Sequence, residues 1–188
     1  GMDVGPDGAL YLADWGEGWA PDEEGKIWRM DTSSDSLSAR RRDTRSLLRA
    51  SFADRSREAL IDLLGHADQR VRLKAQFTLA DRGADEAFLT ALRADDQLRR
   101  VHGIWGVAQM AREDTSRVQA LLRWADDGDP EIRAQVARAL GDVRYAPAAD
   151  TLTRLLEDDS PRVRMLAAQA LQITTPWTLG SGNPVRNE

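Results

Sequence analysis

Apolar residues recur at intervals of three and four along most of the chain, and this period predicts amphipathic α-helices. Between residues 43 and 173, four stretches each contain an apolar triplet spaced i, i+3, i+4, which places one apolar stripe on each predicted helix. A second periodic stretch follows each triplet after a short polar break. The triplets are Leu60, Leu63 and Leu64; Phe88, Ala91 and Leu92; Leu121, Trp124 and Ala125; and Leu152, Leu155 and Leu156.

The second stretches begin at equivalent polar residues, and the steps between these starts are 28, 33 and 31 positions. The four starts are Asp68, Asp96, Asp129 and Ser160. Asp and Ser are favoured N-caps because their side chains accept hydrogen bonds from the first turn of a helix. Pro130 and Pro161 follow the last two starts, at the helix position that tolerates proline. A repeat of about 30 residues is typical of helical-hairpin arrays, so we predict four helix pairs.

The register of these copies also predicts which side chains of the second helices face the core. Small residues should let neighbouring helices approach closely, and larger ones should fill the layer between copies. The small set is Ala75, Gly103, Val136 and Ala167, and the larger set is Leu79, Val107, Leu140 and Leu171. We also expect Leu73, Phe77 and Ala80 to lie on this face, with Val101, Trp105 and Ala108 as their counterparts.

The motif Asp129-Pro130-Glu131-Ile132-Arg133 and its copies resemble the second helix of HEAT repeats, and the resemblance covers about residues 54–173. It implies an all-α fold: a right-handed α-solenoid of about four HEAT-like helical pairs, preceded by a short N-terminal β-hairpin. It also implies a non-catalytic scaffold whose concave face, built mainly by second helices, binds a protein or peptide.

An arginine recurs four residues after each start, and two interpretations remain open. The arginines could form a basic ladder for phosphates or an acidic partner. We favour a structural ladder in which each arginine pairs with the cap acid of a neighbouring repeat, as is common in HEAT-like arrays. The residues of this predicted ladder are Asp68, Arg72, Asp96, Arg100, Asp129, Arg133, Ser160 and Arg164.

Residues 1–30 follow a strand-like pattern instead. Residues 4–8 predict a turn, residues 9–15 a strand, residues 16–25 an acidic loop and residues 26–30 a second strand. An isolated strand pair is marginal in water, so this hairpin should pack on the helices, pair with a second chain or belong to a larger sheet. Its apolar underside is expected to contain Trp15, Trp19 and Trp28.

The segments Gly-Pro-Asp-Gly-Ala-Leu-Tyr-Leu-Ala-Asp-Trp and Gly-Lys-Ile-Trp-Arg-Met resemble the final blade of glucose/sorbosone dehydrogenase-type β-propellers. In large extracytoplasmic bacterial proteins, such propellers precede HEAT repeats and often a cytochrome c domain. The resemblance therefore implies a second function, an accessory fragment of a propeller-type oxidoreductase. It also implies a periplasmic or other extracytoplasmic location.

The change of pattern predicts four segments: a hairpin at 1–30, a linker at 31–42, a repeat domain at 43–173 and an extended or disordered tail at 174–188. Leu47, Leu48 and Phe52 suggest a leading helix that caps the array. We expect Trp177 in the tail to cover the open end of the last repeat.

Composition narrows the possible chemistry of this 188-residue chain, in which 41% of residues are hydrophobic. With no cysteine, the sequence excludes disulfides, thiolate nucleophiles, Cys-ligated zinc and covalent c-type haem attachment. We expect no membrane-spanning segment, because no apolar run approaches about 20 residues. The chain carries no recognisable export signal.

The net charge of −5 is confined to residues 1–30, which contain seven acids against Lys26 and Arg29. The remainder is balanced, with 24 basic and 24 acidic residues, and this argues against a general polyanion-binding surface. The arginine-rich segment 40–57 leaves nucleic-acid binding as a less favoured alternative. We expect this segment to attract the acidic hairpin.

No motif predicts a metal, a cofactor or catalysis. The acids of the hairpin could supply calcium ligands but lack EF-hand spacing, so we interpret them as a solvated loop. His66 and His102 are the only histidines, and neither has a histidine partner at i+4. The hairpin acids considered above as calcium ligands are Asp14, Glu17, Asp22, Glu23 and Glu24.

Overall fold

The computed structural model describes residues 1–14, 25–32 and 38–174. A small antiparallel sheet at the N-terminus leads into an array of helices. The sheet contains β1 (Met2–Val4), β2 (Leu10–Asp14) and β3 (Lys26–Met30), in the order β1-β2-β3. None of the described helices is both long enough and apolar enough to cross a membrane.

The helices are α1 (Ser38–Arg49) and then four pairs. The first pair is α2 (Arg57–Leu63) with α3 (Gln69–Asp81), and the second is α4 (Asp85–Leu92) with α5 (Gln97–Met110). The third pairs a 3₁₀ segment (Thr115–Asp126) with α6 (Pro130–Asp142). The fourth follows a 3₁₀ turn (Ala146–Ala148) and pairs α7 (Ala149–Leu155) with α8 (Pro161–Thr174).

The predicted hairpin is present as β2 and β3, with Leu10 opposite Met30 and Leu12 opposite Trp28. The added strand β1 was not predicted, because three residues are too few to show a period. β1 and β2 are joined by a turn in which the Gly8 N–H donates to the Gly5 carbonyl at 2.9 Å. Gly8 has φ of 74°, a left-handed conformation that glycine adopts without strain. Trp15 and Trp19 lie outside the described residues, as do Glu17, Asp22, Glu23 and Glu24 of the predicted acidic loop.

The predicted linker at 31–42 was wrong at its C-terminal end, because α1 begins at Ser38. The run of arginines that reads as irregular and polar consists of good helix formers. Arg41 lies on the inner side of α1 and donates from Nε to the Asp7 carbonyl at 2.8 Å. Its guanidinium also pairs with Asp31 at 2.7 Å, and this hydrogen bond lowers the pKa of Asp31 to about 2.

A second arginine fixes the sheet to the array. Arg70 of α3 donates from one terminal nitrogen to the carbonyls of Val4 (2.6 Å) and Gly5 (3.0 Å). The acidic hairpin and the start of the arginine-rich segment 40–57 therefore lie side by side, as expected from their charges. Because guanidinium groups bind backbone carbonyls rather than only carboxylates, the attachment depends on hydrogen bonds as well as on charge.

Three of the four predicted caps form hydrogen bonds to the first turn. The side chains of Asp68, Asp96 and Asp129 accept from the backbone N–H groups of Arg70, Arg99 and Glu131. Ser160 occupies the equivalent position, and its own N–H donates to Asp158 Oδ1 at 2.8 Å. The register inferred from spacing alone thus gives the starts of α3, α5 and α6.

The core follows the predicted stripes with a few exceptions. Both aligned sets of second-helix positions are buried except Leu171, which is partly buried. Phe77 and Leu156 were wrongly placed in the core, since they are 50% and 37% exposed. On α3 the buried stripe is Val71, Ala75 and Leu79, and Phe77 lies outside it. Trp105 and Trp124 are only partly buried.

Two glycines allow helices to approach closely. A Cβ atom on Gly106 of α5 would lie 2.1 Å from the ring of the buried Phe88 on α4. A Cβ atom on Gly141 of α6 would lie 2.7 Å from both the Cα and the Cβ of Ala170 on α8. Real Cβ contacts are longer, so only glycine fits at these crossings.

Candidate functional site

Three of the four recurring arginines share one local contact, to the turn that precedes their own helix. Arg72, Arg133 and Arg164 each donate from one terminal nitrogen to the carbonyls one and two residues before the helix start, at 2.7 to 3.4 Å. Arg100 instead donates to the Leu92 carbonyl at 3.2 Å. Each arginine therefore satisfies carbonyls that would otherwise face the turn without a partner.

Two of these arginines also reach the following copy. Arg133 forms a two-point contact with Asp158, from Nε at 2.7 Å and from the second terminal nitrogen at 2.8 Å. Arg100 likewise reaches the following copy, where it forms an ion pair with Asp127. The predicted partners, the cap acids, were wrong: the acid used lies two residues before the start of the next second helix.

The cap acid has two hydrogen-bond partners of its own. In Asp129, Oδ1 accepts from the Glu131 N–H and Oδ2 accepts from Gln97 Nε2. Burial acts to raise the pKa of Asp129, but these hydrogen bonds outweigh it and the pKa lies below its usual value. The acid two residues earlier orders the turn, since Asp127 accepts from the Asp129 N–H at 2.9 Å.

The first junction uses a histidine where later junctions use a carboxylate. The residue equivalent to Asp127 in the second copy is Ala94, and Arg72 donates instead from Nε to His102 Nε2 at 3.0 Å. Because arginine cannot accept, Nε2 is unprotonated and Nδ1 donates to Gln76 Oε1 at 2.8 Å. Burial, together with the Arg72 cation, lowers the pKa of His102 to about 4.

A second polar chain runs beside the first. Trp105 donates its indole N–H to Gln135 Oε1 at 2.9 Å, and Gln135 donates to Glu131 at 2.7 Å. Glu131 also pairs with Arg162 of α8 at 2.9 Å. The rings of His102 and Trp105 meet edge to face, with centroids 4.9 Å apart, so the two chains contact each other.

Above these chains the second helices α3, α5 and α6 form a groove of about 460 Å³, which we call the second-helix groove. Three of its residues, Phe77, Trp105 and Arg138, lie nine positions after the starts of their respective copies. Phe77 is half-exposed, so an aromatic surface faces solvent. The remaining lining residues are Gln76, Ala108, Gln109, Arg112, Gln135, Ala139, Asp142 and Val143.

The sequence analysis did not single out this groove, although a signal was present. In the first three copies, position nine holds a large side chain. The sequence pattern led us to assign two of these, Phe77 and Trp105, to the core. Position nine is two residues from the buried positions seven and eleven, and at 3.6 residues per turn this places it on roughly the opposite side of the helix from them. Gln76 and Gln135, polar residues that are themselves only 4% exposed, also line the groove.

The histidines do not form a reactive pair. His66 Nδ1 accepts from the Asp68 N–H at 3.0 Å, and its Nε2 lies 3.5 Å from Asp43. His102 is enclosed between Arg72 and Gln76 as described above. Across residues 1–14, 25–32 and 38–174, no group of three or more His, Cys, Asp or Glu side chains could hold a metal ion.

Comparison with known proteins gives one family match, and it covers residues 85–172, which match the model of HEAT repeats. This match supports a HEAT-repeat helical region from α4 to near the end of α8. No curated protein matches the sequence. Among solved structures, the chain is similar to the crystal structure of an engineered protein from the Northeast Structural Genomics Consortium, with 22% identity, a TM-score of 0.46, and coverage of 76% of this chain and 75% of that one.

Proposed function

We propose that the chain is a non-catalytic protein-interaction module that binds a segment of another protein in the second-helix groove. The observation that carries this proposal is Phe77, an aromatic side chain that is half-exposed at the wall of a groove of about 460 Å³. Concave sites with a few aromatic walls and fixed polar groups are typical ligand sites. HEAT repeats generally serve as protein-interaction scaffolds, and two of the three groove helices belong to the matched region.

The groove is supported by rigid neighbours. Gln135, at its floor, is held by Trp105 and Glu131, and Gln76 is held between His102 and Gln109. Fixed side chains lose little entropy when a partner binds. We further propose that the array coils as a right-handed superhelix, with the second helices on its concave side.

Selection of displayed random peptides on the intact chain tests this function. We expect selected peptides to lose affinity when Phe77→Ser removes the aromatic wall. Leu98→Ser is the matched control, because Leu98 is 41% exposed on α5 and does not line the groove. Peptides that bind wild type and Phe77→Ser equally would place binding elsewhere and contradict the proposal.

The sheet supports a second function, the accessory fragment of a propeller-type oxidoreductase. Opposite residues share a face in antiparallel pairs, so the register places six apolar side chains on one face of the sheet. They are Met2, Val4, Leu10, Leu12, Trp28 and Met30, of which Met2 is 69% and Trp28 is 52% exposed. Exposed apolar patches of this kind mark interfaces, and a further β-sheet of a larger protein would cover this one.

Light scattering and binding of a hydrophobic dye test this second function. We expect the isolated chain to be a monomer whose dye binding falls in a Trp28→Ser, Met30→Ser variant. Ile27→Ser is the matched control, since Ile27 is 75% exposed on the opposite face. A dimer that the double substitution dissociates would assign the face to self-association through the N-terminal strands and count against the oxidoreductase role.

A further inference from the structure

We infer that the partner segment bound in the second-helix groove carries an acidic side chain next to a large apolar one. This inference rests on the proposed interaction function. It follows from the chemistry of the groove lining, which contains two guanidinium groups and one carboxylate.

The groove carries two exposed guanidinium groups. The Arg112 side chain is exposed at the end of α5, and among the described residues no carboxylate lies within ion-pair distance of it. Arg138 on α6 pairs with Asp142 at 3.6 Å, and both side chains are 57% exposed. Exposed pairs of this length contribute little, so a partner carboxylate can replace Asp142 at small cost.

The amide groups of the groove add a further donor. Gln109 uses its Oε1 to accept from Gln76 Nε2 at 2.9 Å, which leaves the Gln109 amide N–H groups without a partner among the described residues. Gln76 and Gln135 each use the amide oxygen and one N–H on other side chains. Against these donors, Asp142 is the one carboxylate in the groove lining. A carboxylate partner therefore matches the chemistry of the site, because charge-assisted hydrogen bonds to guanidinium groups are the strongest that it can form.

The aromatic walls of the groove indicate why the partner segment should carry a large apolar residue next to its acid. Trp105 uses its indole N–H on Gln135, so it presents only ring atoms to the groove, and Phe77 presents a whole ring. Ala108 and Val143 add to the apolar lining of the same groove, which also contains Arg112 and Arg138. An aromatic or aliphatic side chain would bury against this apolar lining while an adjacent acid reaches the guanidinium groups. Buried aromatic and arginine contacts of this kind dominate binding energy at protein interfaces.

The distribution of charge argues for a protein segment rather than a nucleic acid. A polyphosphate backbone would pass Asp142 inside the groove, and this carboxylate would repel it. A peptide with one or two acids can place them at Arg112 and Arg138 and avoid Asp142. The groove therefore fits a short acidic and apolar sequence.

Displayed random peptides selected on the intact chain and on an Arg112→Glu, Arg138→Glu double variant test the inference. We expect wild type to enrich peptides with Asp or Glu next to a large apolar residue. These peptides should bind the double variant at least about tenfold more weakly, because like charges then face each other. The double variant should instead enrich Lys and Arg.

The matched control is an Arg42→Glu, Arg93→Glu variant, which makes the same change in net charge at exposed arginines outside the groove. We expect its affinity for the selected peptides to equal that of wild type, and an equal loss would overturn the inference by assigning the effect to overall charge. Peptides that depend on Phe77 but show no acidic enrichment would overturn the inference and leave the proposed function standing. Peptides insensitive to both Phe77 and the arginine pair would overturn both.

Discussion

The first and last junctions of the helical array use the same arginine position with partners of opposite chemistry. Between the third and fourth copies, Arg133 forms a two-point ion pair with Asp158, and the two side chains are 17% and 8% exposed. Between the first and second copies, Arg72 donates to the neutral, buried ring of His102. The arginine is present at the same position in every copy, whereas its partner differs between copies.

This difference shows what the arginine contributes by itself and what its partner adds. Every copy retains a contact between the guanidinium and backbone carbonyls of a neighbouring turn. Only some copies add a carboxylate from the next repeat. We therefore propose that the turn contact is the common structural role, and that the partner sets how strongly successive repeats are held and how this strength depends on pH.

The largest expected effect follows removal of the ion pair at the last junction. Arg133→Ala leaves the nearly buried carboxylate of Asp158 without its main partner, so we expect the free energy of unfolding to fall by about 3 kcal/mol. The hydrogen bonds from Arg133 hold the pKa of Asp158 below its usual value, which indicates that the ionised form is stabilised. Denaturant unfolding of the full chain measures the change.

Arg164→Ala is the control, because the Arg164 guanidinium is exposed and, among the described residues, its hydrogen bonds go to the carbonyls of Asp158 and Asp159. It should cost about 1 kcal/mol or less. A double-mutant cycle with Asp158→Ala isolates the pair itself, and a coupling energy near zero would contradict the importance given to this junction.

A smaller effect is expected at the first junction. Arg72→Ala removes the same two carbonyl contacts as Arg133→Ala, but its partner is a neutral ring rather than a carboxylate. The loss should be about 2 kcal/mol, because His102 Nε2 is left buried without a donor. The same denaturant measurement applies. If Arg72→Ala proves as costly as Arg133→Ala, the charge of the partner is not what distinguishes the junctions.

Much of the fold follows from spacing, because helix starts obey local rules. An acid before a periodic stretch caps the helix whatever surrounds it, so Asp68, Asp96 and Asp129 were identified correctly. The partners of the arginines were not identified. Arg72 uses His102, and Arg133 uses Asp158 in a turn whose cap is a serine. The turn of the third copy offers Arg100 both Asp127 and the cap acid Asp129, and Asp127 is the one used. That choice depends on hydrogen bonds between copies, which spacing does not encode.

The candidate groove illustrates the same limit. Phe77 and Trp105 were predicted as core because both are large and apolar at helical spacing. Successive helical residues are about 100° apart, so Phe77 lies about 160° around the helix from the buried Ala75 and Leu79. The groove also needs three copies side by side, so no single repeat contains its signal.

Mild acid should weaken the first junction and spare the last. An unfolded histidine binds a proton near pH 6.5, whereas His102 in the folded chain does so only near its pKa of about 4. Between these values the unfolded chain binds more protons, so stability falls as pH falls. We expect a loss on the order of 1 kcal/mol from about pH 7 to about pH 5, measured by thermal unfolding.

Two variants test whether His102 causes this pH dependence. His102→Gln can still accept from Arg72 and donate to Gln76 but does not titrate, so it should remove most of the loss. His66→Gln should keep it, since His66 does not contact Arg72 through its ring. The pKa of Asp158 is lowered by Arg133, so its ion pair persists in this range. If His102→Gln still lost stability between about pH 7 and about pH 5, the pH dependence would not arise at the first junction.

The smallest expected effect concerns an ion pair that joins the same two copies as Arg133 but lies on their first helices. Arg154 of α7 contacts Asp126 at the end of the 3₁₀ segment, and the two side chains are 53% and 65% exposed. Water already solvates both groups, so Arg154→Gln should change the free energy of unfolding by less than about 0.5 kcal/mol. Denaturant unfolding beside Arg133→Ala provides the comparison within one junction. A loss equal to that of Arg133→Ala would mean that burial does not determine which bridges hold the repeats together, because both pairs link the same copies and differ chiefly in their exposure to solvent.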